Sequence, residues 1–361
     1  MNDDRTTELQ DQVRAAVADG RPLALVGNGT KSFLGRTAVG EPLALGGHRG
    51  ILSYQPTELV ITARAGTPLG EIESALAEHG QMLSFEPPHF ADPARGPDAT
   101  LGGTIACGLS GPARASAGAA RDLVLGARIL TGRAEVLRFG GEVMKNVAGY
   151  DLSRLMVGAM GTLGVLLDVS LKVLPIPPAT LSLVQECDTE TALARMLDWA
   201  ALPLPVSATC FDGERLWVRL SGAGQGVREA AERIGGEPVA DDLAADFWRE
   251  QVREQRADFF AGDLPLWRLS VPAAAPALGL SGPQWIEWGG ALRWLRSEES
   301  PGHIRAAVAA VGGQATLFRG GDRGGEIMHP LPAALLQLQR RLKAAFDPRG
   351  ILNPGRLYPD W

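Results

Sequence analysis

The sequence has few cysteines, and their spacing excludes several kinds of site. Among 361 residues there are three, Cys107, Cys187 and Cys210, which lie 80 and 23 positions apart. No CxxC pair, zinc-finger spacing or iron–sulfur run is present, so we expect neither a structural metal nor a disulfide framework. The five histidines offer no local metal-binding pair, because no two of them are closer than ten residues.

A basic excess and long apolar runs are also missing. The net charge is −6 and only 21% of residues are charged, which argues against binding to nucleic acid or to an anionic bilayer. No stretch approaches about 20 uninterrupted apolar residues, and the N-terminal segment carries Asp3 and Asp4 where a secretory signal needs basic residues. We expect a cytoplasmic chain of about two domains.

Glycine is the residue in excess, with 45 copies that cluster inside apolar sequence. Three glycine-rich segments, 27–32, 100–111 and 158–165, adjoin predicted strands. Consecutive backbone N–H groups in such loops form concave sites for anions, and three of them together indicate a diphosphate ligand. A P-loop motif is absent, and the segment at Gly27 lacks the third glycine of the ordinary dinucleotide fingerprint, so neither a P-loop ATPase nor an ordinary Rossmann domain is expected.

Apolar periodicity predicts an α+β first domain over residues 1–175. Thr67 is the expected N-cap of a helix, with Pro68 in its first turn. The proline cluster 175–178 marks the first boundary. The predicted elements are helices over 6–19, 68–79 and 145–156, and strands over 22–26, 59–63, 123–130, 136–139 and 166–174.

A second α+β domain is predicted over residues 176–332, with one antiparallel sheet and helices on a single face. A third segment, 333–361, contains a helix over 333–346 and a tail whose Ile351 and Leu352 require burial, so we expect the tail to dock on the rest of the chain. The predicted cap elements are strands near 207–211, 216–220, 266–271, 284–295 and 315–318, and helices near 227–234, 247–248 and 303–311.

Four motifs occur along the chain in a fixed order: 22–30 (PLALVGNGT), 100–106 (TLGGTIA), 158–165 (GAMGTLGV) and 347–355 (DPRGILNPG). In order and spacing they resemble the FAD-binding proteins of the vanillyl-alcohol oxidase and p-cresol methylhydroxylase type. Four further segments, 57–69, 109–112, 143–152 and 288–295, are most similar to the FAD-binding E subunits of bacterial glycolate oxidases within that family. The resemblance spans nearly the whole chain.

The resemblance implies a PCMH-type FAD-binding domain of two α+β subdomains over 1–175, a cap over 176–332, and a C-terminal segment that returns to the FAD domain. It implies FAD held without a covalent bond, because the Gly27 loop has no histidine and Cys107 reads as a small buried thiol. The residues expected to bind the cofactor are Gly27, Asn28, Gly29, Thr30, Lys31, Thr100, Leu101, Gly102, Gly103, Thr104, Ala106, Gly108, Gly161, Thr162, Gly164, Val165 and Asn353.

A catalytic signature of this family is missing. Members that oxidise 2-hydroxy acids carry His-x-x-Gly-Asp-Gly-Asn-x-His, and no such sequence is present. The remaining candidates are Arg293, as the cation for a substrate carboxylate, and His329, as the base. Arg293 could equally stack on a tryptophan or form a surface ion pair. Trp285, Trp288 and Trp294 are expected in the core.

Three functions remain open. The resemblance implies a subunit of a glycolate oxidase complex that works beside a catalytic flavoprotein subunit and an iron–sulfur subunit on small 2-hydroxy acids such as glycolate or lactate. Exposed cap tryptophans would then form the subunit contact, and any attachment to the inner membrane would be peripheral, through the complex. The alternatives are a self-sufficient FAD-dependent alcohol or hydroxy-acid dehydrogenase and a non-catalytic flavin-binding assembly module.

Overall fold

The computed structural model describes residues 3–91, 98–141 and 151–361. The first part of the chain has a parallel pair, β1–β2, and an antiparallel five-stranded sheet in the order β3-β4-β8-β6-β7. Its strands are β1 Leu23–Val26, β2 Glu41–Ala44, β3 Ile51–Gln55, β4 Val60–Arg64, β5 Gln81–Met82, β6 Val124–Leu130, β7 Val136–Gly140, β8 Val165–Lys172 and β9 Leu174–Pro175. Its helices are α1 Thr6–Asp19, α2 Leu69–Ala77, α3 Leu101–Cys107, α4 Arg114–Ala117, α5 Ala120–Leu123 and α6 Leu152–Leu155.

Two hydrophobic clusters stabilise this part. α1 buries Leu9, Val13 and Ala16 against β1 and β2 in one of them. In the other, α2 and α3 cover the five-stranded sheet, whose central strand β8 is buried on both faces. Burial on both faces explains why β8 is apolar at five of its eight positions, with Asp168 and Ser170 as buried polar exceptions. The mixed helix-and-sheet architecture confirms the predicted fold class.

The cap is an eight-stranded sheet in which every pair is antiparallel, as predicted. Its order is β13-β10-β12-β11-β15-β16-β14-β17. The strands are β10 Ala179–Glu186, β11 Val206–Phe211, β12 Arg215–Gly222, β13 Glu237–Pro238, β14 Leu266–Ser270, β15 Gln284–Glu287, β16 Leu292–Arg296 and β17 Gln314–Arg319. The helices are α7 Thr189–Ala200, α8 Gly224–Ile234, α9 Asp241–Asp246, which continues as a π-helical turn over Phe247–Arg253, and α10 Pro301–Ala310.

Cap helices lie on both faces of this sheet, so the prediction of a single covered face is wrong. Phe211 packs with α7 and α8, whereas its neighbour Cys210 points the other way, toward Phe247 and Trp248 of the π-helical turn. This second face also meets Leu34 and Met160 of the first domain. The cap sheet therefore uses an aromatic layer to contact the first domain.

The C-terminal segment, α11 (Ala333–Phe346) and its tail, contacts the first domain. Leu352 forms a parallel bridge with Leu23, and the Asn353 side chain accepts a hydrogen bond from Leu25 N at 2.8 Å and donates to Met160 O at 2.6 Å. Buried Lys343 donates to Asp347 Oδ2, Thr162 O and Leu352 O at 2.6, 2.7 and 2.8 Å. The tail thus completes the edge of β1.

Several local predictions differ from the structure. Segment 100–106 is a short helix and not a loop, because Thr100 caps it through Gly103 N. Thr67 does not cap α2; its Oγ1 accepts from Gly50 N instead. The strand expected over 284–295 is split in two by a turn at 288–290, and the sequence reading missed both β10 and α7. Of the helix expected over 145–156, residues 145–150 lie outside the described residues.

Candidate functional site

A cavity of about 410 Å³ lies where the β1 loop, α3, the 160–166 segment, Arg323 of the cap and the tail meet. Twelve of the predicted cofactor residues line it: Gly27, Asn28, Gly29, Thr30, Lys31, Thr100, Gly102, Gly103, Ala106, Gly161, Gly164 and Asn353. Residues more than 300 positions apart in sequence thus share one wall. We call this the cofactor cavity.

Glycine is required at several positions of this wall because side chains would collide there. A Cβ on Gly27 would lie 2.5 Å from Thr100 Oγ1, and one on Gly102 would lie 2.6 Å from Ala65 Cβ. Gly161 has φ of +72°, and its Cβ would lie 2.7 Å from Leu25 Cδ1. These glycines bring three chain segments close together and leave the cavity open.

The two glycine-rich segments offer different groups to a ligand. In the described part of the chain, nothing accepts a hydrogen bond from the main-chain N–H groups of residues 28–31, which border the cavity. The first amides of α3 are already used, because Leu101 N donates to Thr67 O, Gly102 N to Ala65 O and Gly103 N to Thr100 Oγ1. The expectation that amides of both segments wrap a diphosphate therefore fits only the Gly27 loop.

The charges around the cavity favour an anion. Lys31, Arg36, Arg323 and Arg356 line it, and no described lining residue is acidic. Lys31 is buried, its Nζ donates to His89 O at 3.2 Å, and desolvation lowers its pKa to about 8. A diphosphate needs many fixed donors and positive charge within a small space, and this wall provides both.

Cys107 is the one thiol on the described cavity wall. Burial raises the pKa of this thiol, although Lys31 and Arg356 oppose the effect. A thiol kept protonated is a poor nucleophile.

Five predicted cofactor residues lie outside the cavity wall. Leu101, Thr104 and Val165 are buried in the core, where they hold α3 and β8 in place. Thr162 donates through Oγ1 to Ala159 O at 2.7 Å, and Gly108 ends α3 in a left-handed conformation. Their roles are in supporting the wall, and none of them faces the cavity.

Neither predicted catalytic residue faces the cofactor cavity. Arg293 is fully buried on β16, and its guanidinium donates to the carbonyls of Gly290, Pro276 and Ala275. His329 accepts a hydrogen bond from Ala315 N at 3.3 Å, and burial lowers its pKa. This placement gives Arg293 a structural role, because its donors are occupied by the backbone.

The cap tryptophans are mostly core residues. Trp285, Trp288 and Trp294 are 4–5% exposed, which confirms their predicted burial. Among the described cap residues no tryptophan is fully exposed, so the prediction of exposed cap tryptophans is wrong, and the subunit contact stays a prediction. The large apolar side chains exposed there are Ile176, Leu197, Leu243 and Leu264.

A second, smaller cavity of about 20 Å³ was not expected from the sequence. It lies between the cap sheet and residues 109–111, and we call it the junction cavity. Arg268 and Glu287 line it, and burial raises the pKa of Glu287 to about 7 although Trp294 Nε1 donates to its Oε1 at 2.7 Å. Arg268 lies on β14 and Glu287 on β15, so no local sequence motif predicts that they share a cavity.

His89 also escaped the sequence reading. Its ring contacts Asp98 Oδ1 at 2.5 Å and Glu73 Oε1 at 3.2 Å, and the two carboxylates raise its pKa to about 9 against the opposing effect of burial. Its backbone N–H donates to Glu254 Oε1 of the cap at 3.1 Å. His89 thus joins the two domains beside Lys31.

Within residues 3–91, 98–141 and 151–361 there is no cluster of three metal-ligating side chains. Over the same ranges, none of the helices has the length and apolar character needed to cross a membrane.

The family model for the FAD binding domain matches residues 4–140, and the model for the C-terminal domain of FAD linked oxidases matches residues 331–357. The chain is 50% identical over 357 residues to the glycolate oxidase subunit GlcE of Escherichia coli K12, covering 99% of this chain and 98% of that protein. It is 26% identical to the glycolate oxidase subunit GlcD of Bacillus subtilis 168, covering 85% and 77%. An alkyldihydroxyacetonephosphate synthase structure aligns with a TM-score of 0.66 at 16% identity over 96% of this chain and 75% of that one, a likeness of fold alone.

Proposed function

This chain belongs to the FAD-linked oxidase family that includes the glycolate oxidase subunit GlcE, and from that membership we propose that it is the FAD-binding subunit of a complex that oxidises glycolate or a similar small 2-hydroxy acid. The cofactor cavity is the observation that carries this proposal. Its glycine wall, open amides and four cationic side chains match the needs of an FAD diphosphate.

Different residues around the cavity would bind different parts of FAD. The amides of 28–31 and the Lys31 ammonium would bind the phosphates, and Gly161 and Gly164 leave room for the rings. Asn353 keeps β1 and Met160 at a fixed separation through its two hydrogen bonds. When bound, FAD supplies the two-electron acceptor for oxidation of an alcohol.

We propose that FAD is bound without a covalent link. Cys107 is the candidate nucleophile on the described wall, and its raised pKa disfavours the thiolate that attack on a flavin would require. Acid precipitation of the purified chain should release all yellow colour to the supernatant, and Cys107→Ala should keep the same flavin content. Flavin that stays with the precipitate would refute this assignment.

The partners in this proposal are a flavoprotein subunit similar to GlcD and an iron–sulfur subunit. This chain has no cysteine spacing for a cluster of its own, so any electrons it receives would leave to a partner, a quinone or oxygen, and the proposal assigns them to a partner. A cytoplasmic location, with any membrane contact made through the partners, stays a prediction.

The test is co-expression of the chain with both partner subunits, followed by measurement of flavin content and of glycolate-dependent dye reduction. We expect activity only when all subunits are present. Activity of the chain alone would replace the proposal with a self-sufficient dehydrogenase.

A matched pair of variants tests whether the flavin takes part. Gly161→Val places a side chain against Leu25 and should empty the cavity, whereas Gly226→Val adds the same side chain to α8 where nothing lies within 4 Å. We expect the first complex to lose activity and the second to keep it. Full activity from a flavin-free Gly161→Val complex would instead indicate an assembly module.

A further inference from the structure

The junction cavity contains an arginine, Arg268, whose guanidinium has no hydrogen-bond acceptor among the described residues. Arg268 lies on β14 with its guanidinium 5.2 Å from the ring centre of Trp288. Arg293, Arg296 and Arg323 use their donors on backbone carbonyls. The planar set of Arg268 donors is therefore available to a group inside the cavity.

Glu287 lines the same cavity without forming an ion pair with Arg268. One of its oxygens accepts from Trp294 Nε1, and the other has no described partner. Both residues lie on the face of the cap sheet that meets the first domain, since Arg268 pairs with Trp294 in register and Glu287 follows Trp285 by two residues. The two charged groups thus border one small void, and no ion pair joins them among the described contacts.

A third polar group in this cavity is also unsatisfied. The Oε1 atom of Gln255 is buried and has no hydrogen-bond partner among the described residues. Gln255, Phe90 and Trp288 all line the cavity and all have a positive φ, of 55°, 51° and 55°. Such conformations in non-glycine residues concentrate at ligand sites, where surrounding structure maintains them.

We propose that Arg268 and Glu287 bind a small 2-hydroxy acid between them, Arg268 through the ligand's carboxylate and Glu287 through its hydroxyl. The inference rests on the proposed function for the class of acid. A guanidinium fork is the side chain best suited to a carboxylate, and a carboxyl of raised pKa can hold or release the hydroxyl proton. Glu287 would then contribute the proton-exchanging group that the chain's histidines do not supply.

The size of the cavity limits the ligand. A void of about 20 Å³ has room for about one water molecule, so even glycolate must displace rim side chains such as Arg253 and Gln255. Larger acids would have to displace the buried Trp288 and Trp294 as well. We therefore expect glycolate to bind better than 2-hydroxy acids with longer side chains.

The test measures binding of glycolate and of acetate, which lacks the hydroxyl, to the FAD-loaded full-length chain by isothermal titration calorimetry. We expect the wild type to bind glycolate more tightly than acetate. Arg268→Met should weaken both acids at least tenfold, whereas Arg215→Met, which removes a guanidinium that stacks on Trp217 away from the cavity, should change neither. Equal binding by wild type and Arg268→Met would overturn the proposal.

Glu287→Gln provides a second variant that keeps the shape of the side chain. The groups that face Glu287 are Arg268 on β14, Arg253 on the π-helical turn, Arg114 near Arg268, and the Cys210 thiol on β11. In the wild type, glycolate affinity should fall as the pH rises through 7, because ionised Glu287 repels the ligand's carboxylate. Glu287→Gln should remove that dependence, and an unchanged pH profile would refute the role of Glu287.

Flavin content and co-purification with the partner subunits are recorded for every variant. A chain that holds FAD and assembles but does not bind glycolate would refute this inference alone. A chain that holds no FAD would refute the proposed function.

Discussion

Replacing Lys343 by methionine should unfold the tail and weaken the cofactor cavity together. Lys343 donates to three oxygens at 2.6–2.8 Å, and its partner Asp347 is 1% exposed. Removing one member of a buried ion pair costs about 3–5 kcal/mol. Asp347 would keep its hydrogen bonds from Ile351 N and Leu352 N but would lose its only described counter-ion. The variant should therefore lose a large part of the free energy of unfolding of a typical domain.

The assay is urea unfolding of the FAD-loaded protein, with flavin release and loss of tryptophan packing followed separately. Lys172→Met is the matched control, because it makes the same change at a half-buried lysine at the end of β8. We expect flavin release to shift to lower urea in Lys343→Met and to stay near the wild-type midpoint in Lys172→Met. Adding Asp347→Asn to Lys343→Met should recover part of the loss, since no charge is then left buried.

Equal midpoints for Lys343→Met and the wild type would show that the pair does not hold the tail. A loss that persists in full in the double variant would show that the hydrogen bonds to Thr162 and Leu352 matter more than the charge on Asp347.

Three further predictions concern other buried groups. The folded pKa of His89, about 9, exceeds its ordinary value of 6.5, so its contribution to stability is present below about pH 6.5 and is lost as the pH rises through 9. Unfolding at pH 6.5 and 9.5 should thus show a loss on the order of 2 kcal/mol in wild type that His89→Gln lacks. The pKa of Lys31, about 8, predicts weaker FAD binding as the pH rises from 7 to 9, and fluorescence titration of FAD should show a flatter profile in Lys31→Met. Arg293→Met should lower the free energy of unfolding by about 3 kcal/mol, because buried carbonyls lose their donors, while flavin per folded chain stays unchanged; a selective loss of flavin would contradict the structural role.

The sequence predicts the residues that line the cofactor cavity better than it predicts catalytic residues in the cap. Glycines such as Gly27 and Gly161 are informative because few other roles explain their clustering beside apolar strands. The helical form of 100–106 was missed, since its glycines disfavour a helix and only the Thr100 cap and the contact with Ala65 compensate.

Catalytic residues in the cap were harder to predict, because the role of each side chain depends on the face of the sheet toward which it points. Arg293 and Arg268 are both arginines on cap strands, yet one points its donors at backbone carbonyls and the other into a cavity. Strand alternation decides the face, and the register that fixes it comes from pairing between β14 and β16, which one sequence does not reveal.

The hydrogen bond between Asn353 and Leu25 spans 328 positions of sequence. During translation β1 leaves the ribosome long before Asn353 is made. The edge of β1 therefore lacks its hydrogen bond from the tail until the entire cap has been synthesised. Flavin loading should accordingly be a late event that follows production of nearly all the described chain. Truncations that stop before Asn353 are expected to yield colourless protein, and affinity tags are better placed away from this segment.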